Sequence, residues 1–342
     1  MFIDSRPAGP SMEIRKIQTT AAGTFIITIP KEWAEKLEMR KGDNVSVDLE
    51  EGNIIVTPMG PRPEVLSGPL DIGQFESQRA LELRITASYI QGHDVTEIAS
   101  KETMKAEQKR WIRQTVEGLI GVEVAEDYAK KVVLQNLVDP TKFDLDRLIG
   151  RFSSVSTAIY QDAVRALVEK DPTLAQDAFM RGNESTKLYR LLMRLAIQAS
   201  NDKTLRAKME IPNVSGVIVR IIAVRELERI SYYAMRIAEH VSNLGRKVPE
   251  KVVSMIEKMG RLDSEMQGEA ISALIARELE GTSQLSDKMG KVRTLYEAAH
   301  AEVMKVEEFE TSLALTLITR DLRGIASFAV TLADDAVLAS FY

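Results

Sequence analysis

The stretch Arg225–Glu239, RELERISYYAMRIAE, decides the fold class of this chain. Its apolar and small residues recur at steps of three and four, so they share one face of a helix. These residues are Leu227, Ile230, Ala234, Ile237 and Ala238, and the stripe continues beyond the stretch at Val241. Charged residues such as Arg225, Arg229 and Glu239 occupy the remaining positions. The pattern predicts an amphipathic helix that packs one face into a helical bundle.

A near-copy of this stretch, Arg320–Asp334 with the sequence RDLRGIASFAVTLAD, lies 95 positions later. Residues 149–189 likewise match residues 256–296 without a gap, at an offset of 107. Because the offsets 107 and 95 differ by twelve, the first copy carries twelve more residues before its third helix, and we place them in Asn201–Gly216. The duplication predicts two tandem three-helix bundles, in residues 141–246 and 247–342.

The composition excludes several functional classes. The net charge is −5 and the pI is 5.6, so the chain as a whole is not a basic nucleic-acid binder. Cysteine is absent, which excludes disulfides, thiolate metal sites and cysteine catalysis. The three histidines, His93, His240 and His300, are far apart in the sequence. We therefore expect no histidine-rich metal centre.

Neither a signal peptide nor a membrane span is predicted. Residues 1–11 contain charge, proline and glycine without an apolar core, and we expect a flexible arm there. No apolar run approaches the length of about 18 residues that a membrane-spanning helix needs. We expect a cytoplasmic protein that does not insert into a membrane.

Residues 12–59 are predicted to form a small β-rich unit. Thr24–Ile29 is β-branched and aromatic and ends at Pro30, which indicates a strand. Lys31–Leu37 predicts a short helix, and Val45–Val56 predicts a hairpin. The inward side of the short helix is expected to carry Trp33, Ala34 and Leu37. So short a unit buries little apolar surface alone, and we expect a homodimer.

This unit resembles the swapped-hairpin barrel of the AbrB/SpoVT transcription-factor family. The resemblance rests on Gly23, Ile29-Pro30-Lys31, Leu37, Lys41-Gly42-Asp43, Val45, Val47, Ile55 and Pro58. It implies a dimer that presents polar and basic side chains of the first strand and its loop to DNA. The matching and neighbouring candidates for DNA binding are Arg15, Lys16, Thr19, Thr20, Lys31, Arg40 and Lys41. Residues 12–60 hold six Lys and Arg against eight Asp and Glu, so a purely dimerising role stays an equal alternative.

The middle of the chain is less informative. Residues 60–73 are rich in proline and glycine and predict a linker. Residues 74–140 predict a small α/β unit, in which the helical stretches Phe75–Ile90 and Lys105–Leu119 alternate with short strands. We interpret His93-Asp94 as part of a turn and not as a proton-transfer pair.

The duplicated helical region resembles the PhoU family of phosphate-uptake regulators, which are built from two tandem three-helix bundles. The residues that carry the resemblance are Arg225-Glu226-Leu227-Glu228-Arg229-Ile230, Ala234, Ile237-Ala238-Glu239, Asp162-Ala163, Lys170-Asp171 and Leu188-Tyr189. A barrel-type domain ahead of such bundles is similar to archaeal phosphate-uptake regulators. The resemblance implies contact with a phosphate ABC transporter or its ATPase.

The metal-binding pattern of that family is incomplete here. In the family, an acid followed four residues later by aspartate, on the third helix of each bundle, can hold a metal cluster. The first copy keeps Glu228 but has Tyr232 at the second position, and the second copy has Arg323 and Ser327. One carboxylate cannot hold a multinuclear site, so we expect Glu228 to be a surface ion-pair partner and expect no metal or other cofactor. Two later acids that we expect to be solvated are Asp334 and Asp335.

The sequence therefore favours a regulator over an enzyme. It contains no Walker A loop, no G-x-S-x-G and no H-E-x-x-H motif, and the third helices lack the clustered acids of a metal-dependent phosphatase. The first functional hypothesis is a regulator of phosphate uptake and phosphate homeostasis that acts by protein–protein contact, with or without DNA binding by its barrel. The alternative is an AbrB-type transcription regulator whose bundles form an effector-responsive oligomerisation module.

Overall fold

The computed structural model describes residues 13–50, 52–58, 68–244, 248–277 and 282–341. Contacts divide the chain into two units, residues 1–63 and residues 64–342. The predicted flexible arm and most of the predicted linker lie outside the described residues.

The first unit contains two short hairpins and one short helix. Its elements are β1 (Gln18–Thr19), β2 (Phe25–Ile26), α1 (Lys31–Lys36), β3 (Val45–Glu50) and β4 (Asn53–Pro58). β1 pairs antiparallel with β2, and β3 pairs antiparallel with β4. Gly23 and Gly52 adopt φ values of 82° and 84° in the two turns, a conformation that glycine adopts at little cost. The strand predicted at residues 24–29 is shorter than expected, because among the described residues it pairs only with the two residues of β1.

The second unit begins with a small α/β region. Its elements are β5 (Leu70–Asp71), α2 (Gln78–Ile90), β6 (Val95–Ala99), α3 (Ala106–Glu117), β7 (Val122–Asp127) and β8 (Lys131–Asn136). The sheet has the order β5-β6-β8-β7 and is antiparallel except for the β5–β6 pair. The predicted end of the linker at residue 73 is wrong, because Leu70 and Asp71 pair with Ile98 and Ala99. The apolar side chains of this region form a core of their own.

The rest of the second unit is helical. The helices are α4 (Leu145–Glu169), α5 (Pro172–Met180), α6 (Gly182–Asn201), α7 (Lys203–Lys208), α8 (Val214–Ser242), α9 (Glu250–Ala276), α10 (Thr282–Val303) and α11 (Phe309–Ala339). Side chains cap several helix starts: Asp144 accepts from the first turn of α4, Asp171 from that of α5, and Asn213 from that of α8. None of the helices in the described ranges is both long and apolar enough to span a bilayer.

The duplication inferred from the sequence is visible in the helices. α4 and α9 end on the left-handed residues Lys170 (φ 58°) and Arg277 (φ 57°), which are separated by the offset of the repeat. The short helix α7 occupies part of the predicted insertion at Asn201–Gly216. The predicted second helix of the first copy is divided at Arg181 into α5 and α6.

The two copies share one hydrophobic core. α4 packs against α9, and α8 packs against α11. The buried apolar residues of both copies, such as Ile149, Leu227, Ile256 and Leu322, belong to one continuous cluster. The predicted mainly α architecture, with a β-rich N-terminal unit, a small α/β region and duplicated helical bundles, is confirmed.

Candidate functional site

The residues predicted to bind DNA all lie on the surface of the first unit. The cations Arg15 and Lys16 precede β1, and Lys31 opens α1. Arg40 and Lys41 lie in the turn between α1 and β3. Every one of these side chains is exposed, as are those of Thr19 and Thr20. Each is therefore accessible to a polyanion in the single chain.

Local interactions already engage some of these candidates. Arg15 forms an ion pair with Glu13, and Lys31 Nζ lies 3.5 Å from Glu35 Oε1. The Thr20 hydroxyl accepts a hydrogen bond from the backbone N–H of Thr24 at 3.1 Å, which stabilises the first hairpin turn. Exposed ion pairs of this kind contribute little free energy, about 0–1 kcal/mol each, so they can exchange for phosphate contacts.

The first unit leaves most of its apolar surface uncovered. Pro30 is the one buried residue among those whose burial is described in residues 13–58. Val47, Leu49 and Ile54 share one face of the β3–β4 hairpin and are 65%, 78% and 73% exposed. The side chains predicted to face inward from α1 are also accessible: Trp33 is 37% and Leu37 is 53% exposed. A single copy of this unit therefore lacks a core of the usual kind.

In the second unit, Glu228 lies on the exposed side of α8. Its Oε2 is 3.9 Å from Arg225 Nη1, and both side chains are partly exposed. Glu228, Arg229, Tyr232, Tyr233 and Phe328 line a shallow depression between α8 and α11. Tyr232 is 51% exposed and contributes a ring, not a carboxylate, to this surface.

One of the two carboxylates that we expected in solvent near the end of α11 is buried instead between α8 and α11. Asp334 is exposed, but Asp335 is only 5% exposed, so its predicted solvation is wrong. Asp335 faces Glu226 of α8, and Asp335 Oδ2 and Glu226 Oε2 have no hydrogen-bond partner among the described residues. Burial, together with the charges of Glu226 and Asp334, raises the pKa of Asp335 from 3.8 to about 7.

A second buried acid, Asp321, lies nearer the start of α11. It has no exposed surface, and its carboxylate lies 3.3 Å from Arg236 Nε and 3.0 Å from Arg320 Nη2. Burial raises the pKa of Asp321, while the two arginines oppose that rise. The repeat offset of 95 aligns Glu226 with Asp321 and His240 with Asp335. The sequence repeat therefore indicated that Asp321 and Asp335 occupy positions equivalent to Glu226 and His240 of the first copy.

A polar seam joins α4 to α9. Tyr160 donates a hydrogen bond to Gln267 Oε1 at 3.1 Å, and the Gln267 amide donates to Ser153 and Ser156 of α4. Asp263 lies in the same interface with no exposed surface, and neither of its carboxyl oxygens has a partner among the described residues. Burial raises the pKa of Asp263 well above its ordinary value, which favours the neutral acid.

One buried arginine attaches the small α/β region to the bundles. Arg194 of α6 donates to the backbone oxygens of Tyr89 and His93 at 2.7 and 2.8 Å, and to Asp94 Oδ1 at 2.7 Å. Its guanidinium also lies 5.0 Å from the Tyr89 ring centroid. His93 lies in a turn, as predicted, where it shares a hydrogen bond with Ser88.

Comparison with known proteins supports both resemblances. The family model described as PhoU domain matches residues 149–241. Residues 149–241 are therefore similar to the PhoU domain. The model described as antidote-toxin recognition MazE, bacterial antitoxin, matches residues 18–64, and this unit is a MazE/AbrB-like domain. No curated protein matches the chain.

A solved structure is also similar to part of this chain. It is the phosphate transport system regulatory protein PhoU from Streptococcus pneumoniae, at 18% identity and a TM-score of 0.49. The likeness covers 57% of this chain and 92% of that chain. The match to the PhoU domain model covers the first copy alone, so the second copy is related to it here through the internal repeat.

The PhoU domain and its second copy differ from the acidic pattern expected for metal binding. The first copy keeps an acid at the first position of the pattern, Glu228, but has Tyr232 at the second. In the second copy the two equivalent positions hold Arg323 and Ser327. Among the described residues, no three His, Asp or Glu side chains are grouped so that they could hold a metal ion. The surface that these positions occupy carries arginines and aromatic rings.

Proposed function

We propose that this chain is a regulator of phosphate uptake and phosphate homeostasis that acts by contact with other macromolecules. The observation that carries this proposal is the PhoU domain at residues 149–241, followed by a second copy in the same shared core. The duplicated helices supply long, rigid surfaces, and a regulator needs such surfaces and no catalytic group. We assign the protein to the cytoplasm and propose no enzyme activity and no cofactor.

The proposed partner in uptake regulation is a phosphate ABC transporter or its ATPase. The test is co-purification of the tagged full-length protein from its native host, grown with ample phosphate and under phosphate starvation. Recovery of the transporter ATPase in one of these two states supports the proposal. Recovery of no transporter component in either state, with the bait folded and abundant, contradicts it.

We propose that the first unit forms a homodimer through residues 12–59. Two observations support this assignment. The apolar face of the β3–β4 hairpin is exposed in the single chain, and among the described residues of the unit whose burial is known only Pro30 is buried. Each side chain such as Leu49 or Ile54 contributes about 1.5–3 kcal/mol when it becomes fully buried, so a few of them suffice to stabilise a dimer. Analytical ultracentrifugation of the full chain tests this assembly.

DNA binding by this dimer is the second candidate function. The MazE/AbrB-like match and the seven exposed candidates, Arg15 to Lys41, favour it. A dimer doubles the number of cations on one face, and phosphate neutralisation depends on that number. The test is an electrophoretic shift with promoter fragments of phosphate genes across a salt series. The shift should weaken steeply with salt and with the double change Arg15→Ala and Lys16→Ala, whereas an absent or salt-independent shift contradicts DNA binding.

A further inference from the structure

Four arginine–aromatic contacts involve residues of α6, α8, α10 and α11. They join neighbouring helices or successive turns: Arg225 with Tyr189, Arg229 with Phe328, Arg236 with Tyr232, and Arg323 with Tyr296. Each guanidinium carbon lies 4.7–5.6 Å from the ring centroid of its partner. We call this set the arginine–aromatic strip.

The strip crosses four helices in their packing order. α6 packs against α8, α8 against α11, and α11 against α10, and the strip has members on all four. Neighbouring packed helices have axes about 8–10 Å apart, so the members on different helices are separated by at least about that distance. Along α8, Arg225 and Arg236 are eleven residues apart, which is about 16 Å at the helical rise. These charges are too widely spaced to converge on one small anion.

Two of these arginines have no carboxylate partner among the described residues. Arg229 and Arg323 are exposed, and no Asp or Glu lies within ion-pair distance of either in the described ranges. A guanidinium stacked on a ring keeps its N–H edge free and loses little further rotamer freedom on binding. The strip is therefore a preorganised set of donors for planar anions such as carboxylates.

We propose that the strip binds an acidic segment of a partner protein. Arginine and tyrosine are the residue types that dominate binding energy at protein interfaces, especially when they are prearranged. Glu228, 3.9 Å from Arg225, breaks the positive charge along the strip. It would repel a continuous phosphate backbone, whereas a peptide can place its own acids beside the arginines and an apolar side chain in the depression near Phe328.

This inference rests on the proposed function only where it assumes that the partner takes part in the regulation of phosphate uptake. Binding of an acidic segment to the strip can be measured without that assumption. The probe is a fluorescein-labelled 20-residue peptide of repeated Glu-Glu-Ala-Ala blocks, added to the full-length protein at low salt. A labelled single-stranded dT 20-mer is the second probe. Fluorescence anisotropy gives a Kd for each, and circular dichroism confirms that every variant is folded.

The decisive variant is the double change Arg229→Gln and Arg323→Gln. It should weaken binding of the Glu peptide at least tenfold, because both free guanidinium groups are removed. The matched control is Arg110→Gln with Arg261→Gln, two exposed arginines on α3 and α9 that lie outside the strip, and it should change the Kd less than twofold. Binding of the Glu peptide should also weaken as salt is raised.

Three results would overturn the proposal: no measurable binding of the Glu peptide, an equal loss in both double variants, or tighter binding of the dT probe with loss of that binding in the strip variant. If the peptide result holds but phosphate uptake does not depend on this chain, the strip stands and the proposed function fails. If uptake depends on the chain but the peptide does not bind, the strip assignment alone fails.

Discussion

Replacing Asp335 by Asn should make the protein more stable at pH 8 and leave its stability almost unchanged at pH 4. The native-state pKa of Asp335 is raised to about 7 from its ordinary 3.8, first by burial and then by Glu226 and Asp334. Between these two values the native state holds one proton more than the unfolded state. The free energy of unfolding therefore falls as pH rises through this window, by about 1.4 kcal/mol per pH unit.

The full effect is at most about 4 kcal/mol, reached above pH 7, since water entering the α8–α11 interface would reduce it. Below about pH 4 the acid is neutral in both states, and Asp335→Asn then differs from the native side chain by one amide group. The change removes the titration while keeping the shape of the side chain. The difference in unfolding free energy between variant and wild type should therefore grow steadily from pH 4 to pH 7 and then stay constant.

The assay is urea denaturation of the full chain, followed by helical circular dichroism at several pH values between 4 and 8. The matched control is Glu297→Gln, an exposed carboxylate on α10 whose replacement should change stability by less than about 0.5 kcal/mol at every pH. A difference for Asp335→Asn that does not depend on pH, or a variant less stable at pH 8 than wild type, would refute the reasoning.

Three further changes test other parts of the structure. Arg194→Met should cost about 3–5 kcal/mol in urea denaturation, because it removes the buried hydrogen bonds to Asp94 and to two backbone oxygens, and a loss below 1 kcal/mol would contradict the anchoring role. Val47→Asp should convert the proposed dimer to monomer in analytical ultracentrifugation, whereas Thr57→Asp, on the opposite face of the hairpin, should leave it intact; equal behaviour of the two variants would argue against this face. Asp263→Asn should raise the unfolding free energy at pH 8 by about 1–3 kcal/mol and have little effect at pH 4, and a loss of stability at pH 8 would show that the carboxylate has a partner.

The helical architecture could be predicted because duplication and periodicity are properties of the sequence itself. The offsets of 107 and 95 indicated equivalent helices. Lys170 and Arg277, the left-handed residues at the ends of α4 and α9, are separated by the first of these offsets. β5 was missed because two residues next to a Pro- and Gly-rich segment give no alternating pattern, and their strand geometry comes from pairing with β6.

The burial of charged residues could not be predicted in the same way. Arg194 and Asp335 are charged residues, and side chains of these types are usually exposed. Their burial depends on which helix packs opposite, which no local pattern specifies. The arginine–aromatic strip was hidden for the same reason, since three of its four contacts join residues of different helices.

The central claim is tested most directly by measuring uptake of radioactive phosphate in the native host with and without the gene for this protein. In ample phosphate, wild-type cells should take up phosphate slowly, and cells without the protein should continue rapid uptake until a plasmid copy of the gene is supplied. Equal uptake rates in the two strains, both in ample phosphate and after starvation, would contradict a role in the regulation of phosphate uptake.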